Sequence, residues 1–205
     1  ALKVLREIVR RTLLEAIQIE NAYILDAGGG SGALGLMLAQ RGHYITIADL
    51  SKSMLDIGKD KASKAEISGS IEFVQTNLEH MSAFKNETYD YIICEGSVLS
   101  FTKHPELILN EFYRLLKPDG KALISVQNRL FFMWLSNSFP VIKSVWKTGR
   151  VYPQINAGAN YKCSSHSFMP NEFKDLILKS GFEIINLSSR RLHENSCIFS
   201  SPPRR

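Results

Sequence analysis

Apolar positions recur along the chain with two different periods that alternate. Short apolar runs such as 91–93 are typical of buried strands, whereas apolar residues three or four positions apart, as in 33–41, indicate helices with one buried face. The predicted helices are 2–18, 32–41, 52–64, 105–116 and 170–180. The predicted strands are 23–26, 44–48, 71–75, 89–94, 121–127 and 182–188, with another near 196–200. This order predicts an α/β fold with a doubly wound, mostly parallel, Rossmann-like sheet and helices on both faces.

A glycine-rich turn follows the first predicted strand. Three apolar residues lead to the acid Asp26, and glycines follow at Gly28, Gly30 and Gly32. Glycine allows positive φ and lets another molecule approach the backbone closely. A strand, a glycine-rich turn and a helix form the opening of a nucleotide-binding βαβ unit. A tight turn without a ligand is the alternative, because spaced glycines also produce that.

The acid Asp26 restricts the ligands that this turn suits. Phosphate binds bare amides at a helix N-terminus, and a fixed carboxylate beside them repels it. A ligand with cationic centres and no phosphate fits better, and S-adenosyl-L-methionine has an α-ammonium group and a sulfonium. Residues 30–35 also satisfy the dinucleotide pattern G-x-G-x-x-G. That pattern normally follows an uninterrupted apolar strand, so Asp26 argues against an NAD-dependent oxidoreductase.

Polar side chains stand at the ends of four predicted strands: Asp26, Asp49, Asn77 and Glu95. The carboxyl ends of parallel strands share one edge of a sheet, where the ligand crevice of such folds lies. Asp49 comes about twenty residues after the glycines and is placed to accept both ribose hydroxyls of a cofactor. An N-cap role for Asp49 or Ser51 is also compatible with the pattern, as is a turn role for Asn77.

Two runs carry a family resemblance, D-A-G-G-G-S-G at 26–32 and I-T-I-A-D-L-S-K-S-M-L at 45–55. They resemble the class I S-adenosylmethionine-dependent methyltransferases, most closely the small-molecule branch of the quinone-biosynthesis type. The resemblance extends over about 20–127, and more loosely over 166–188, and departs at Asn77, where the family often has Asp. It implies S-adenosyl-L-homocysteine as a product. It also implies the cofactor-binding residues Asp26, Gly28, Gly30, Gly32, Asp49, Leu50, Met54, Asn77, Leu78 and Glu95.

Composition narrows the class of protein and its partners. The 205 residues suit one domain, 1–205, and 44% hydrophobic with 22% charged residues is ordinary for a globular protein. No apolar run reaches the length of a membrane span. The three cysteines have no short spacing and the five histidines form no H-x-x-x-H pair, so we expect no metal and a reducing, cytoplasmic setting. The net charge of +5 leaves nucleic acid open, but dispersed basic residues do not favour it.

Residues 128–168 interrupt the alternation and are predicted to form an insertion after the fifth strand. Aromatic residues punctuate it, namely Phe131, Phe132, Trp134, Phe139, Trp146 and Tyr152. We expect a lid or wall of an acceptor pocket that suits an apolar or aromatic small molecule. A membrane-surface face with Lys143, Lys147 and Arg150 is one alternative, and additional core packing is another.

The expected reaction is transfer of a methyl group by in-line displacement, for which the protein supplies alignment and excludes water. A base is needed only where the acceptor retains its proton. His166 is the leading candidate because a histidine acts near neutral pH, although a capping role fits equally; Tyr161 and Glu95 are weaker candidates. The alternatives are an RNA methyltransferase, an NAD-dependent oxidoreductase and a non-catalytic S-adenosylmethionine-binding module.

Overall fold

A computed structural model describes residues 2–130, 133, 139–151, 165–191 and 194–202. The α-helices are α1 (Leu2–Ala16), α2 (Ala33–Ala39), α3 (Lys52–Lys64), α4 (Pro105–Leu115), α5 (Phe139–Thr148) and α6 (Pro170–Lys179). The strands are β1 (Tyr23–Ala27), β2 (Tyr44–Asp49), β3 (Ile71–Gln75), β4 (Tyr89–Cys94), β5 (Leu116–Gln127), β6 (Arg150–Val151), β7 (Ser165–His166), β8 (Glu183–Arg191) and β9 (Glu194–Ser200). Short 3₁₀ helices span Ser68–Ser70 and Val98–Phe101.

Seven of these strands form one sheet in the order β3-β2-β1-β4-β5-β9-β8. Strands β1 to β5 pair in parallel, and β9 runs antiparallel to both of its neighbours. The strands β6 and β7 form a separate antiparallel pair. The strand order therefore changes direction between β1 and β4, which is where ligands bind in open α/β sheets.

Buried side chains cover both faces of the sheet. Alternation along β1 sends Ile24 to one face and Leu25 to the other. The Ile24 face packs against buried residues of α1, α2 and α3, including Leu13, Leu38 and Leu55. The Leu25 face packs against α4 and α6, whose fully buried residues include Ile108, Phe112, Phe173 and Ile177. The predicted doubly wound, mostly parallel α/β fold is confirmed.

Residues with particular capping or backbone preferences determine where three helices near the site begin. Ser51 is the N-cap of α3, and its hydroxyl accepts a hydrogen bond from the Met54 N–H. Pro105 begins α4, where its missing N–H costs nothing. Gly32 lies just before α2 with a φ of +75°, so this helix starts at residue 33 and not at 32 as predicted.

One prediction about the fifth strand needs correction. The strand β5 begins at residue 116, not 121, because Pro118, Asp119 and Gly120 form a bulge inside it, with Asp119 at a φ of +62°. The insertion contains regular structure, namely α5, β6 and β7. None of the helices among the described residues has the length and apolarity that a bilayer span requires.

Candidate functional site

The glycine-rich turn joins β1 to α2 at the carboxyl edge of the sheet. The N–H of Gly28 donates to the carbonyl of Ala48 at 2.7 Å, which ties the turn to the end of β2. Gly28 has a φ of +73°, and a Cβ there would lie 2.6 Å from a methyl group of Val98. Val98, which no sequence signal indicated, is thus one reason for glycine at 28. Contact between Gly28 and a cofactor stays a prediction.

Asp26 lies beneath this turn with only 3% of its surface exposed. Its Oδ2 accepts a hydrogen bond from the N–H of Gly35 in α2 at 3.0 Å. The pKa of Asp26 is raised to about 6, mainly by burial; the Gly35 hydrogen bond partly opposes this rise and the nearby charge of Asp49 adds to it. A buried carboxyl with a raised pKa beside an open turn favours a cation over a phosphate.

Asp49 fixes the other side of the turn from the end of β2. Its Oδ2 accepts from the Gly30 N–H at 2.9 Å, and its Oδ1 accepts from the Ser51 N–H at 2.8 Å. A carboxylate offers about four acceptor positions, so each oxygen can still accept a hydroxyl. A Cβ on Gly30 would lie 3.3 Å from the Met54 methyl carbon. Gly30, Asp49 and Met54 therefore form one contiguous surface.

Apolar side chains border this surface. Leu50 is 70% exposed and Met54 is 40% exposed. The Gln75 side chain donates to the Leu50 carbonyl at 3.1 Å and fixes the backbone there. Exposed apolar side chains next to a carboxylate suit a ligand in which a flat ring adjoins a diol, as in a nucleoside.

The next two strands contribute Asn77, Leu78 and Glu95. Asn77 Oδ1 accepts from the Glu79 N–H at 3.0 Å, so the side chain shapes the turn after β3, and its amide NH2 still provides donors. Leu78 is 7% exposed and belongs to the core, so it can reach a cofactor only through its backbone. Glu95 is half-buried directly after β4. It precedes Gly96, where a Cβ would meet no atom within 4 Å.

The site fits S-adenosylmethionine in three respects. A buried acid lies under the turn, a second, half-buried carboxylate lies at the end of β2, and the adjoining surface is apolar. All ten predicted cofactor residues lie at the carboxyl ends of β1 to β4 or in the segments that follow them. Within the described ranges, no group of three His, Cys, Asp or Glu residues could hold a metal ion.

His166 lies in β7, on the other side of the Val98–Phe101 helix, which packs against that strand. Its ring stands edge-on to Phe168 at 4.5 Å, and together they line a cleft of about 730 Å³ that Phe101 also borders. Burial lowers the pKa of His166, with the positive charge of Arg129 as the next cause. The imidazole is therefore neutral near pH 7 and able to accept a proton. Tyr161 lies outside the described residues.

Arg129 holds the base of the insertion, a role that sequence reasoning missed. This residue is 6% exposed, and its guanidinium donates to the Ser167 carbonyl from Nε at 3.1 Å and from Nη2 at 2.8 Å. It also pairs with both carboxylate oxygens of Glu172, at 2.8 and 2.6 Å. No local pattern distinguishes such an arginine, because its partners come from 38 and 43 residues further along the chain.

Methyltransferases recur among the known proteins that this chain is similar to. A family model described as a methyltransferase domain matches residues 25–124. The ubiquinone/menaquinone biosynthesis C-methyltransferase UbiE of Haemophilus ducreyi is 28% identical over 170 residues, which cover 80% of this chain and 65% of that protein. The mitochondrial 2-methoxy-6-polyprenyl-1,4-benzoquinol methylase of Caenorhabditis elegans is 32% identical over 172 residues, covering 79% of this chain and 59% of that protein.

A solved structure shares the fold over nearly the whole chain. It is an S-adenosylmethionine-dependent methyltransferase from Methanosarcina mazei, with a TM-score of 0.78 and 20% sequence identity. The alignment covers 94% of this chain and 98% of that one. By contrast, the chain spans 65% or less of the length of the two relatives named above.

Proposed function

The chain belongs to the class I S-adenosylmethionine-dependent methyltransferase family, and on that premise we propose that it transfers a methyl group from S-adenosyl-L-methionine to a small molecule. The observation that carries the proposal is the pair of carboxylates around the glycine-rich turn. Asp26 lies beneath the turn, and Asp49 holds the Gly30 amide while keeping acceptor positions for a ribose. This pair suits a cofactor that has two cationic groups and no phosphate.

In this proposal, each residue at the carboxyl edge of the sheet has a particular role in binding the cofactor. Asp49 accepts the ribose hydroxyls, and Leu50 with Met54 contacts the adenine ring. Asn77 and the backbone of Leu78 lie at its edge, where an amide oxygen accepts from the adenine amine. Asp26 places negative charge under the turn, near the ammonium group. Glu95, after β4, adds an acid at the same edge.

When bound, S-adenosylmethionine supplies a methyl group activated by its sulfonium. The protein aligns the acceptor for in-line displacement and keeps water out. His166, neutral near pH 7, takes the proton that an oxygen or carbon acceptor loses. We propose that the acceptor occupies the cleft lined by His166, Phe101 and Phe168, whose aromatic side chains suit a ring. The relatives act in quinone biosynthesis, by their names, and an aromatic acceptor agrees with that chemistry.

A binding experiment tests the cofactor assignment. Calorimetry should show binding of S-adenosylmethionine and none of NAD. Replacing Asp49 with Ala should weaken that binding by roughly tenfold or more, because hydrogen bonds to a charged group contribute about 1.5–3 kcal/mol. The matched control is Asp56→Ala, an exposed acid of α3 that pairs with Lys52. Equal affinity of Asp49→Ala and the control would remove Asp49 from the site.

Turnover then separates an enzyme from a binding module of the same fold. Incubation with S-adenosylmethionine and fractions of a metabolite extract should produce S-adenosylhomocysteine together with a methylated small molecule. Methylated RNA as the product would favour the alternative acceptor, although the dispersed basic residues do not support it. Cysteines without short spacing support a reducing setting, and we propose that the enzyme acts in the cytoplasm.

A further inference from the structure

The cleft beyond the Val98–Phe101 helix differs in chemistry from the cofactor surface. Residues 100–105 form one side of it, and the other side consists of Arg150, Ser165, His166 and Phe168. The Val98–Phe101 helix borders both regions, because Val98 packs against the glycine-rich turn at Gly28 while Phe101 lines the cleft. A molecule in the cleft therefore lies next to the cofactor turn without competing for it.

The charge in this cleft has one sign. Its described lining includes Lys103, His104, Arg150 and His166 but no acidic residue. Glu106 approaches the His104 ring at 3.2 Å, so that histidine already has an anionic neighbour. Among the described residues, by contrast, neither Lys103 nor Arg150 has a carboxylate within ion-pair distance.

Strand pairing brings the two central groups together. Arg150 in β6 is the direct register partner of His166 in β7. Directly opposed residues of an antiparallel pair project from the same face with Cβ atoms about 5 Å apart. The guanidinium and the imidazole can therefore act on one bound group. Arg129 stays apart from that group because Glu172 and the Ser167 carbonyl already occupy it.

The rest of the lining is aromatic or already hydrogen-bonded. Phe101 is 49% exposed, and Phe168 packs edge-on against His166. The hydroxyls of Ser100 and Ser165 are both bonded to Gln127, one to its backbone N–H and one to its side chain. The cleft therefore presents aromatic rings and cationic groups to a ligand, whereas the hydroxyls of Ser100 and Ser165 already form hydrogen bonds within the protein.

We propose that the methyl acceptor is an aromatic molecule with an anionic substituent, a carboxylate or a phosphate ester, and that Arg150 determines this specificity. This inference rests on the proposed methyltransferase function. The ring lies against Phe101 and Phe168, and the planar guanidinium of Arg150 binds the anion through paired hydrogen bonds. His166, on the neighbouring strand, then faces the ring that carries the acceptor atom.

The test uses simple aromatic probes on the whole protein, both free and loaded with S-adenosylhomocysteine. Benzoate, phenyl phosphate and the neutral benzamide are titrated while the His166 ring signals are followed by NMR. At least one of the two anions should bind roughly tenfold or more tightly than benzamide, as expected for hydrogen bonds to a charged group. The tighter of the two identifies the anion as carboxylate or phosphate.

Charge variants at two positions decide whether Arg150 is responsible. The variant Arg150→Gln should bring the preferred anion down to the affinity of benzamide, and Arg150→Lys should retain part of the preference. The control Lys143→Gln makes the same charge change on the exposed face of α5, outside the cleft lining, and should keep the full preference. Thermal melting of each variant excludes unfolding as the cause.

The outcomes distinguish this inference from the proposed function. Equal affinity for benzamide and both anions, unperturbed His166 signals, or an undiminished preference in Arg150→Gln would each overturn the anionic acceptor. Affinity for S-adenosylhomocysteine is measured separately by calorimetry. Normal cofactor binding without anion preference would refute the inference alone, whereas loss of cofactor binding in the unaltered protein would refute the proposed function.

Discussion

Asp26 is a buried acid with a raised pKa, which its position in the sequence does not indicate. The sequence placed it among the predicted cofactor-binding residues. The structure buries it under the turn, where one oxygen accepts the Gly35 N–H. We therefore expect Asp26 to act on a bound cation through the electric field across the turn. This arrangement makes the cofactor site sensitive to pH.

The raised pKa of Asp26 predicts a specific pH dependence of stability. The carboxyl titrates near 3.8 in the unfolded chain and at about 6 in the folded protein, so its favourable contribution is complete below about pH 4 and is lost as the pH rises through 6. Relative to Asp26→Asn, the protein should lose about 3 kcal/mol of unfolding free energy over that interval. Chemical denaturation across the pH range measures this difference.

The same ionisation should strengthen cofactor binding. Above about pH 6 the deprotonated Asp26 attracts a cation, so the affinity for S-adenosylmethionine should rise between about pH 5 and 7. The α-ammonium group, with an ordinary pKa of about 8, keeps its charge over this range. Asp26→Asn should bind with little change across the interval. Identical profiles for the variant and the unaltered protein would show that Asp26 stays in one protonation state.

The sequence alone indicated some of the residues at the carboxyl edge of the sheet and missed others. Asp49 and the glycines follow apolar strands, and such local order is visible in the sequence. Val98 acquires its role from Gly28, far along the chain, and nothing in its own surroundings distinguishes it from any other valine. Arg150 was noticed in the sequence only as a basic residue among aromatic ones, and its pairing with His166 comes from the structure.

At the scale of elements, the Arg129–Glu172 pair joins the end of β5 to the start of α6. Glu172→Ala should destabilise the protein by about 3 kcal/mol, because Arg129 would keep a buried charge without its partner. The control Asp175→Ala removes an exposed acid from the same helix and should change the free energy of unfolding by less than about 0.5 kcal/mol. Both values come from chemical denaturation.

A double variant separates the buried charge from the lost helix cap. Glu172 also accepts the Met169 N–H at the start of α6, so alanine removes a cap as well. Adding Arg129→Met to Glu172→Ala should restore part of the stability, since no charge then remains buried. A double variant no more stable than the single one would attribute the whole effect to capping.

Elements formed by local order were predictable, and those formed by distant pairing were not. The predicted bounds of α3, β3 and β4 agree with the structure because apolar period and capping residues define them. The strands β6 and β7 have two residues each and pair across the insertion. A strand this short leaves no periodic pattern, so sequence reasoning predicted an insertion here but not these two strands. The resemblance to class I methyltransferases, carried by the local motifs, was confirmed by the family match over residues 25–124.

At the scale of the whole molecule, the helix α5 is the part of the insertion for which two roles are predicted. In α5, Val145 is 4% exposed and Trp146 is 57% exposed, so the helix has one packed and one open face. The aromatic residues Phe132 and Trp134, which were expected to line an acceptor pocket, lie outside the described residues. Core packing and an acceptor wall therefore both stay predictions for this segment.

Two substitutions on α5 separate these roles. Val145→Ala should destabilise the protein by about 2 kcal/mol through lost burial. Trp146→Ala should leave stability nearly unchanged, and if the insertion forms the acceptor wall it should reduce turnover while cofactor affinity persists. Amide exchange in α5 should then slow when cofactor and acceptor are both bound. If Trp146→Ala turns over normally and ligands do not change amide exchange in α5, then α5 has only a packing role.

The position of β9 has a consequence for how the chain is made. This strand follows all the others among the described residues, yet it lies between β5 and β8 in the sheet. During synthesis, β5 therefore keeps an unpaired edge, and β8 has no partner, until residues 194–200 leave the ribosome. The glycine-rich turn and its neighbours β1 to β4 emerge much earlier. The half of the molecule that holds the cofactor can thus form on the ribosome before the sheet is closed.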